Sequence, residues 1–434
     1  MADKLLIRVY NVGCGDCIYI RIPGPQNGFH ILIDCGKKGG DELLRQAIEH
    51  LRGELPEGKA EGKKRLDLIV ATHRHEDHIK GFNPDWFANI AVRNIWLSAA
   101  MDPKHPQAEG VRKMRAIATQ AMRGLMKSGR ALSPEVELLT SLYGVSNDVA
   151  DNLLMEKLPA ANKIKPMYVH RGQTGAELGL PLPPNTAVHI LAPEEDIDHY
   201  YLGEEADAML KGFRGFVGDA EDGVAASAAP APAAAAPANI SAADFRVLQS
   251  RMISNALAFA AKESSIQNNL SVVLLIEWNT RRLLFVGDSE WEGEFKNGRH
   301  NGSWNVMWEK HKEGLLQRPV DFLKIGHHGS INATPPPRDE SPAAKKAPKG
   351  GVYDILDAIL PVAKAGTTPK AQAIISTERE FYKPIPECKV MVDVARRVSN
   401  TVNYGERFAT KGIKPESMGH CGAQKLDTAV FSAM

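Results

Sequence analysis

The sequence predicts an α/β protein built as a four-layer αββα sandwich. Two observations carry that prediction. Strand signals fall into two groups, one in the first third of the chain and one that begins at AVHILAP, and helical segments flank both. The run LDLIVAT is also continuously apolar, as a strand buried on both faces requires.

Taken in order, LLIRVYNV and CIYIRI are rich in β-branched and aromatic residues and predict strands. HILIDCG predicts a third strand, stopped by Gly36. DELLRQAIEHLRG has helical periodicity with a glycine behind it. From 106 to 163 the pattern turns helical in three runs, with Ser133 and Ser146 expected as N-caps. We read this stretch as a helical insertion within a single domain covering residues 1–434. Residues 223–239, almost all alanine and proline, predict a disordered linker or loop. A short helix, AADFRVLQSRMISNALAFA, precedes the strands LSVVLLIEW and RRLLFVGD, which NTR joins in a hairpin turn. After DFLKIGHHGS comes a proline- and lysine-rich loop, 333–350. A helix (YDILDAIL), a strand (AQAIIST) and a helix (KVMVDVARRVSN) follow. No internal repeat is visible.

Composition narrows the function. Lysine and arginine (53) balance aspartate and glutamate (52), for a net charge of +1. That excludes a chain-wide electrostatic footprint for nucleic acid or membrane, so attraction to an anion must be local. Five cysteines in 434 residues do not resemble a disulfide framework. MADKLLIRVYNVG lacks the charged and apolar regions of a signal peptide, and no apolar run reaches the roughly 18 residues of a membrane span. The expectation is a soluble cytoplasmic protein with no membrane partner.

The chemistry concentrates in ATHRHEDHIKG. His73, His75, Asp77 and His78 fit H-x-H-x-D-H. Residues two apart on an extended segment point the same way, so His73 and His75 can grip one ion. If the chain then turns helical, Asp77 and His78 can reach a neighbouring ion. Three histidines within six residues, in a chain that has 14, argue against a merely solvated loop. Two later segments supply matching donors at the ends of apolar strands: Asp288 in LLFVGDSE, and His327 and His328 in LKIGHHGS. In isolation Asp288 reads as a cap or turn aspartate; beside the first motif it reads as a ligand. Nitrogen and oxygen donors of this kind suit zinc, with manganese or iron as alternatives. Cys14 and Cys17 form a C-x-x-C, read here as packing in a strand–turn. GFRGFVGD lacks a P-loop lysine and receives no phosphate role.

These motifs resemble those of metallo-β-lactamase-fold hydrolases. The likeness is greatest to the soluble hydrolase domain of the DNA-uptake channel protein of competent bacteria. NVGCGDCIYIRI, HILIDCG, THRHEDHIKG, NNLSVVLLIE, LLFVGDSE, LKIGHHGS and AIIST follow the family order, from roughly Leu5 to Val398. The resemblance implies the αββα metallo-β-lactamase sandwich and two divalent metal ions. His73 and His75 would hold the first ion. Asp77 and His78 would hold the second with His327, preferred over His328 because it comes first off the strand. Asp288 would bridge. Asp34 would orient ligands, and Asp16 lines the site or serves only its turn.

Two departures stand out. Many relatives supply a third histidine after a strand like AVHILAP, where this chain reads LAPEEDIDH; Glu194, Glu195, Asp196 or His199 would have to substitute, or water. STEREFYKPIPE carries Tyr382 and Lys383 where relatives have a histidine after the tyrosine.

Two divalent cations outweigh the carboxylates Asp77 and Asp288, so the site would keep net positive charge. That favours an anionic substrate, and the expected reaction is hydrolysis of a phosphodiester in single-stranded nucleic acid or a nucleotide, by a water ionised near pKa 7. Asp77 would orient or deprotonate that water, and His328 or Lys383 would assist the leaving group. Two rivals remain. One is a lactone, thioester or β-lactam hydrolase using the same site. The other is a non-catalytic protein that docks a partner through the insertion.

Overall fold

The computed structural model describes residues 4–127, 134–202, 241–338, 342–364, 366–377, 385–399 and 428–432. Ser133, the 223–239 stretch, GFRGFVGD, Tyr382 and Lys383 lie outside them. The strands run in chain order: β1 (Lys4–Val9), β2 (Cys17–Ile22), β3 (Phe29–Cys35), β4 (Lys64–Leu66), β5 (Leu68–Ala71), β6 (Ile90–Val92) and β7 (Ile95–Ser98). Then come β8 (Met167–Val169), β9 (Thr186–Ala192), β10 (Val273–Trp278), β11 (Arg281–Phe285), β12 (Phe322–Lys324), β13 (Gln372–Ile374) and β14 (Thr428–Ser432).

Two large sheets result. One has seven strands in the order β14-β1-β2-β3-β5-β7-β8, the other five in the order β13-β12-β11-β10-β9; β4 and β6 form a separate pair. Side-chain alternation explains why the sheets stack. On β1, Leu5, Ile7 and Val9 face one apolar layer, while Leu6 faces another. On β10, Leu274 and Ile276 join that first layer, and Val273 and Leu275 face away. The shared layer, with Ile18, Ile20, Ile31, Phe285 and Phe322, is therefore the sandwich interior. A period of two with both faces buried needs cover on each outer face. Helix Glu42–Glu54 covers the seven-stranded sheet through Leu44, Ala47, Ile48 and Leu51. Helices Ser303–His311, Ile355–Ile359 and Cys388–Ala395 cover the five-stranded one. The fold is the predicted four-layer αββα sandwich of the metallo-β-lactamase type.

The sheets also fix where a site can form. Pairing is parallel from β3 through β5, β7 and β8, and again from β11 through β12 to β13. Crevices at the carboxyl ends of parallel strands are the usual ligand positions of α/β folds. The motif loops after β3, β5, β11 and β12 all leave from such ends.

Several local expectations are corrected. The helix before β10 is not short: it runs Ala242–Asn269. Its polar last turns read as a lead-in, yet they are buried and paired, with Gln267 donating to Glu263 (2.7 Å) and the Tyr143 hydroxyl to the same carboxylate (2.6 Å). Ser146 is not an N-cap. Gly144 takes that position before helix Val145–Asn152, and the Ser146 hydroxyl instead donates to Glu76 at 2.8 Å, tying the insertion to the histidine motif. The proline- and lysine-rich segment contains a helical turn, Pro342–Lys346. Strands β6, β7 and β8 are too short for periodicity to reveal. The hairpin between β10 and β11 is as expected, with Asn279 at φ 53°. Among the described residues, no helix is long and apolar enough to cross a membrane.

One buried histidine links the sandwich to pH. His30 on β3 donates Nε2–H to the Asn27 carbonyl (2.9 Å) and accepts the Tyr19 hydroxyl at Nδ1 (2.8 Å). Burial holds its pKa down, from 6.5 to about 4. Between those values the unfolded chain binds the proton and the fold does not, so stability falls as pH drops from 6.5 to 4 and is unaffected above. This one group contributes at most about 3 kcal/mol to that loss. In urea unfolding of the wild type and His30→Gln at pH 7 and pH 4.5, the variant is expected to lose less stability on acidification. Equal losses would contradict this role for His30.

Candidate metal centre

The site is built on backbone packed at glycines. The Asp16 N–H donates to the Asp77 carbonyl (2.9 Å), Gly36 N–H to the Asp16 carbonyl (2.8 Å), and Gly81 N–H to the Cys35 carbonyl (2.7 Å). A Cβ on Gly36 would overlap the backbone of Asp77 and His78, and one on Gly15 would overlap Gly36. The GCGD turn and the strand end IDCG therefore press directly on the histidine motif. Past Ala71 the chain bends at His73 and Arg74, is extended at His75 (φ −72°, ψ 144°), then makes one helical turn, Glu76–Ile79. This puts His73 and His75 on the bent lead-in and Asp77 and His78 on the helical turn.

Asp34 organises the cluster. Its backbone is left-handed (φ 54°), a strained state for a residue with a Cβ. Its carboxylate accepts from Thr72 N–H (2.7 Å), Thr72 Oγ1 (2.8 Å) and His78 Nδ1 (2.8 Å). Holding Nδ1 in this way orients His78 Nε2, which lies 3.2 Å from Asp288 Oδ2. His73 Nδ1 is held by Thr72 Oγ1 (3.1 Å) and Ser271 Oγ (3.3 Å). His73 Nε2 then faces His75 Nδ1 at 3.0 Å and Asp288 Oδ2 at 3.8 Å.

The twin histidines take different places. Both twin histidines have left-handed backbones, φ 42° and 53°, and the turn aims them differently. His328 is buried. Its Nδ1–H donates to the Ser376 carbonyl (2.8 Å), which aims Nε2 at Asp77 Oδ2, 3.1 Å away. The His327 ring is 30% exposed, 3.8 Å from Asp288 and 3.9 Å from Glu290. Order along the strand does not determine which ring turns inward.

Among the described residues, four buried groups hold donor atoms within 4.8 Å of one another: His73, His75 and Asp288; His78, Asp288 and His328; Cys14, Asp77 and His328; and Asp16, Asp34 and His78. His327 is in none of them. The last group is already engaged, because Lys324 pairs with Asp16 (2.9 Å) and Asp34 accepts from three donors. The first two share Asp288, as a carboxylate bridging two ions would. Buried Asp77 Oδ1 and His75 Nε2 have no hydrogen-bond partner. Such orphaned atoms are costly unless something else satisfies them, and an imidazole and carboxylate donor set fits divalent cations. No substitute for the third histidine enters these groups. Arg171 engages Glu194, His199 bonds Asn297 (3.1 Å), and Glu195 and Asp196 are exposed.

The electrostatics suit ligation in part. Burial, then the His78 charge, pushes His73 down to about 3, and burial also lowers His75 well below its usual value, so both stay neutral. Burial alone would raise Asp77 and Asp288. Lys38 and His328 overcome it at Asp77, and His78 and His327 at Asp288, so both remain ionised. His78, between Asp288 and Asp34, is raised well above its usual value despite burial.

Two residues escaped the sequence reading. Lys38 Nζ lies 3.4 Å from Asp77 Oδ2, with its side chain 11% exposed. Only its place two residues beyond HILIDCG signalled it. Cys14, read as packing, faces the site, whereas its C-x-x-C partner Cys17 turns to the other side, 3.9 Å from Cys35.

Residues 11–136 match the family model of the Metallo-beta-lactamase superfamily, from the GCGD turn through the histidine motif into the insertion. No curated protein matches the chain. The fold, that match and the donor groups are those expected of a metal-dependent hydrolase.

If Asp34 orients His78, Asp34→Asn should weaken metal binding by about 10–100-fold, read by competition with a chromophoric chelator. An unchanged affinity would contradict that role.

Proposed function

We propose that this chain is a two-metal hydrolase of phosphodiesters, acting on single-stranded nucleic acid or a nucleotide. The observation that carries the substrate class is Lys38. A nearly buried ammonium 3.4 Å from Asp77 adds fixed positive charge to a site that its cations already leave positive. Such a site attracts a substrate that arrives anionic and gains charge during reaction. The resemblance to a DNA-processing domain points the same way.

We assign His73, His75 and Asp288 to the first ion, and Asp77, His78, Asp288 and His328 to the second. Zinc is the proposed metal. When bound, the ions supply Lewis acidity and lower the pKa of a water to roughly 7. The remaining work belongs to the chain. Asp77 orients the attacking water through its second oxygen. Lys38 stabilises the charge that develops on the phosphoryl oxygens. His328, expected from sequence to assist the leaving group, serves as a ligand instead, because its Nδ1–H is committed to the Ser376 carbonyl.

Zinc- or manganese-loaded protein is expected to cleave single-stranded DNA, RNA or a chromogenic model diester. The doubly substituted His75→Ala, Asp77→Ala chain should lose at least about 100-fold in rate. Equal activity in that variant would sink the proposal. Faster turnover of a lactone or thioester than of any diester would reassign the substrate.

A further inference from the structure

We propose that Cys14 is a metal ligand, adding a thiolate to Asp77 and His328 at the second ion. The inference rests on the metal-centre reading and adds a soft donor to an otherwise nitrogen and oxygen set.

Cys14 is 2% exposed and lies in the GCGD turn, which the Asp16–Asp77 backbone bond clamps against the histidine motif. Its Sγ lies within 4.8 Å of a ligand atom of Asp77 and one of His328, and those atoms lie equally close to each other. Donors sharing one ion sit about 3–3.5 Å apart, given metal–nitrogen and metal–sulfur lengths of roughly 2.1 and 2.3 Å, so modest closure suffices. Two further observations point to a ligand here. Asp77 Oδ1 is buried, with no hydrogen-bond partner. The His328 Nδ1–H is fixed on the Ser376 carbonyl, which aims Nε2 at Asp77, 3.1 Å from its Oδ2.

The other nearby cysteines do not compete. Cys17 and Cys35 lie 3.9 Å apart among the residues packed beneath helix Glu42–Glu54. Charge is balanced as well. Coordination forms one metal–sulfur bond and releases the thiol proton to solvent, and the Lys38 ammonium beside Asp77 offsets the added negative charge. Lys38 is held there by its own N–H, which donates to the Cys14 carbonyl at 2.9 Å. A thiolate favours zinc or cobalt over manganese at this position.

Cobalt(II) titration of the full chain under reducing conditions tests this. Wild type, Cys17→Ala and Cys35→Ala should each develop a near-ultraviolet thiolate-to-cobalt charge-transfer band. Cys14→Ala and Cys14→Ser should lose that band yet still bind cobalt, seen in the visible ligand-field bands. Zinc X-ray absorption on the unmutated chain needs no variant and should show a sulfur shell at about 2.3 Å. Bound metal with only nitrogen and oxygen neighbours, or a band that survives in both Cys14 variants, would overturn the role of Cys14 and leave the metal centre standing. No bound cobalt at all would overturn both.

Discussion

The Asp34 carboxylate is the constraint on which the site depends. It sits at the end of β3, takes a left-handed backbone, and gathers two bonds from Thr72 and one from His78. Burying a carboxylate is costly unless charge-assisted donors compensate. Here three donors do, and each fixes part of the site. The Thr72 bonds hold the start of the histidine motif against the neighbouring strand. The His78 bond fixes that ring's orientation and aims Nε2 at Asp288.

From that clamp the rest follows by geometry. Glycines at 15 and 36 let backbone meet backbone, so the motif helix lies directly on two strand ends rather than on side chains. The two sheets then bring β11 and β12 to the same crevice, and Asp288 and His328 arrive from their ends. The cluster carries opposed demands. His73 and His75 are held neutral and ready to ligate, while His78 holds its proton between two carboxylates. An ion taking His78 Nε2 must displace that proton, so acid competes with metal for this site.

Much of this was legible in the sequence, for identifiable reasons. H-x-H-x-D-H is readable because both extended and helical spacing act over a few residues. Asp288 was readable as a polar group ending an apolar run. The choice between His327 and His328 was not, because it turns on two consecutive left-handed residues that no local propensity announces. Lys38 and Cys14 were hidden for a different reason. Each joins the site only through packing between distant segments, and neither type at that spacing suggests a ligand. Ser146 and the long helix Ala242–Asn269 show the same limit. Polar residues that look like caps or linkers are drawn into tertiary bonds by the fold.

The central claim is that buried side chains from distant parts of the chain converge to hold a pair of cations. Elemental analysis of the purified chain, after equilibration with zinc and removal of excess, tests it most directly. The account predicts two ions per chain, both removed by a strong chelator. Less than one ion per chain, with folding unchanged in chelator, would contradict it.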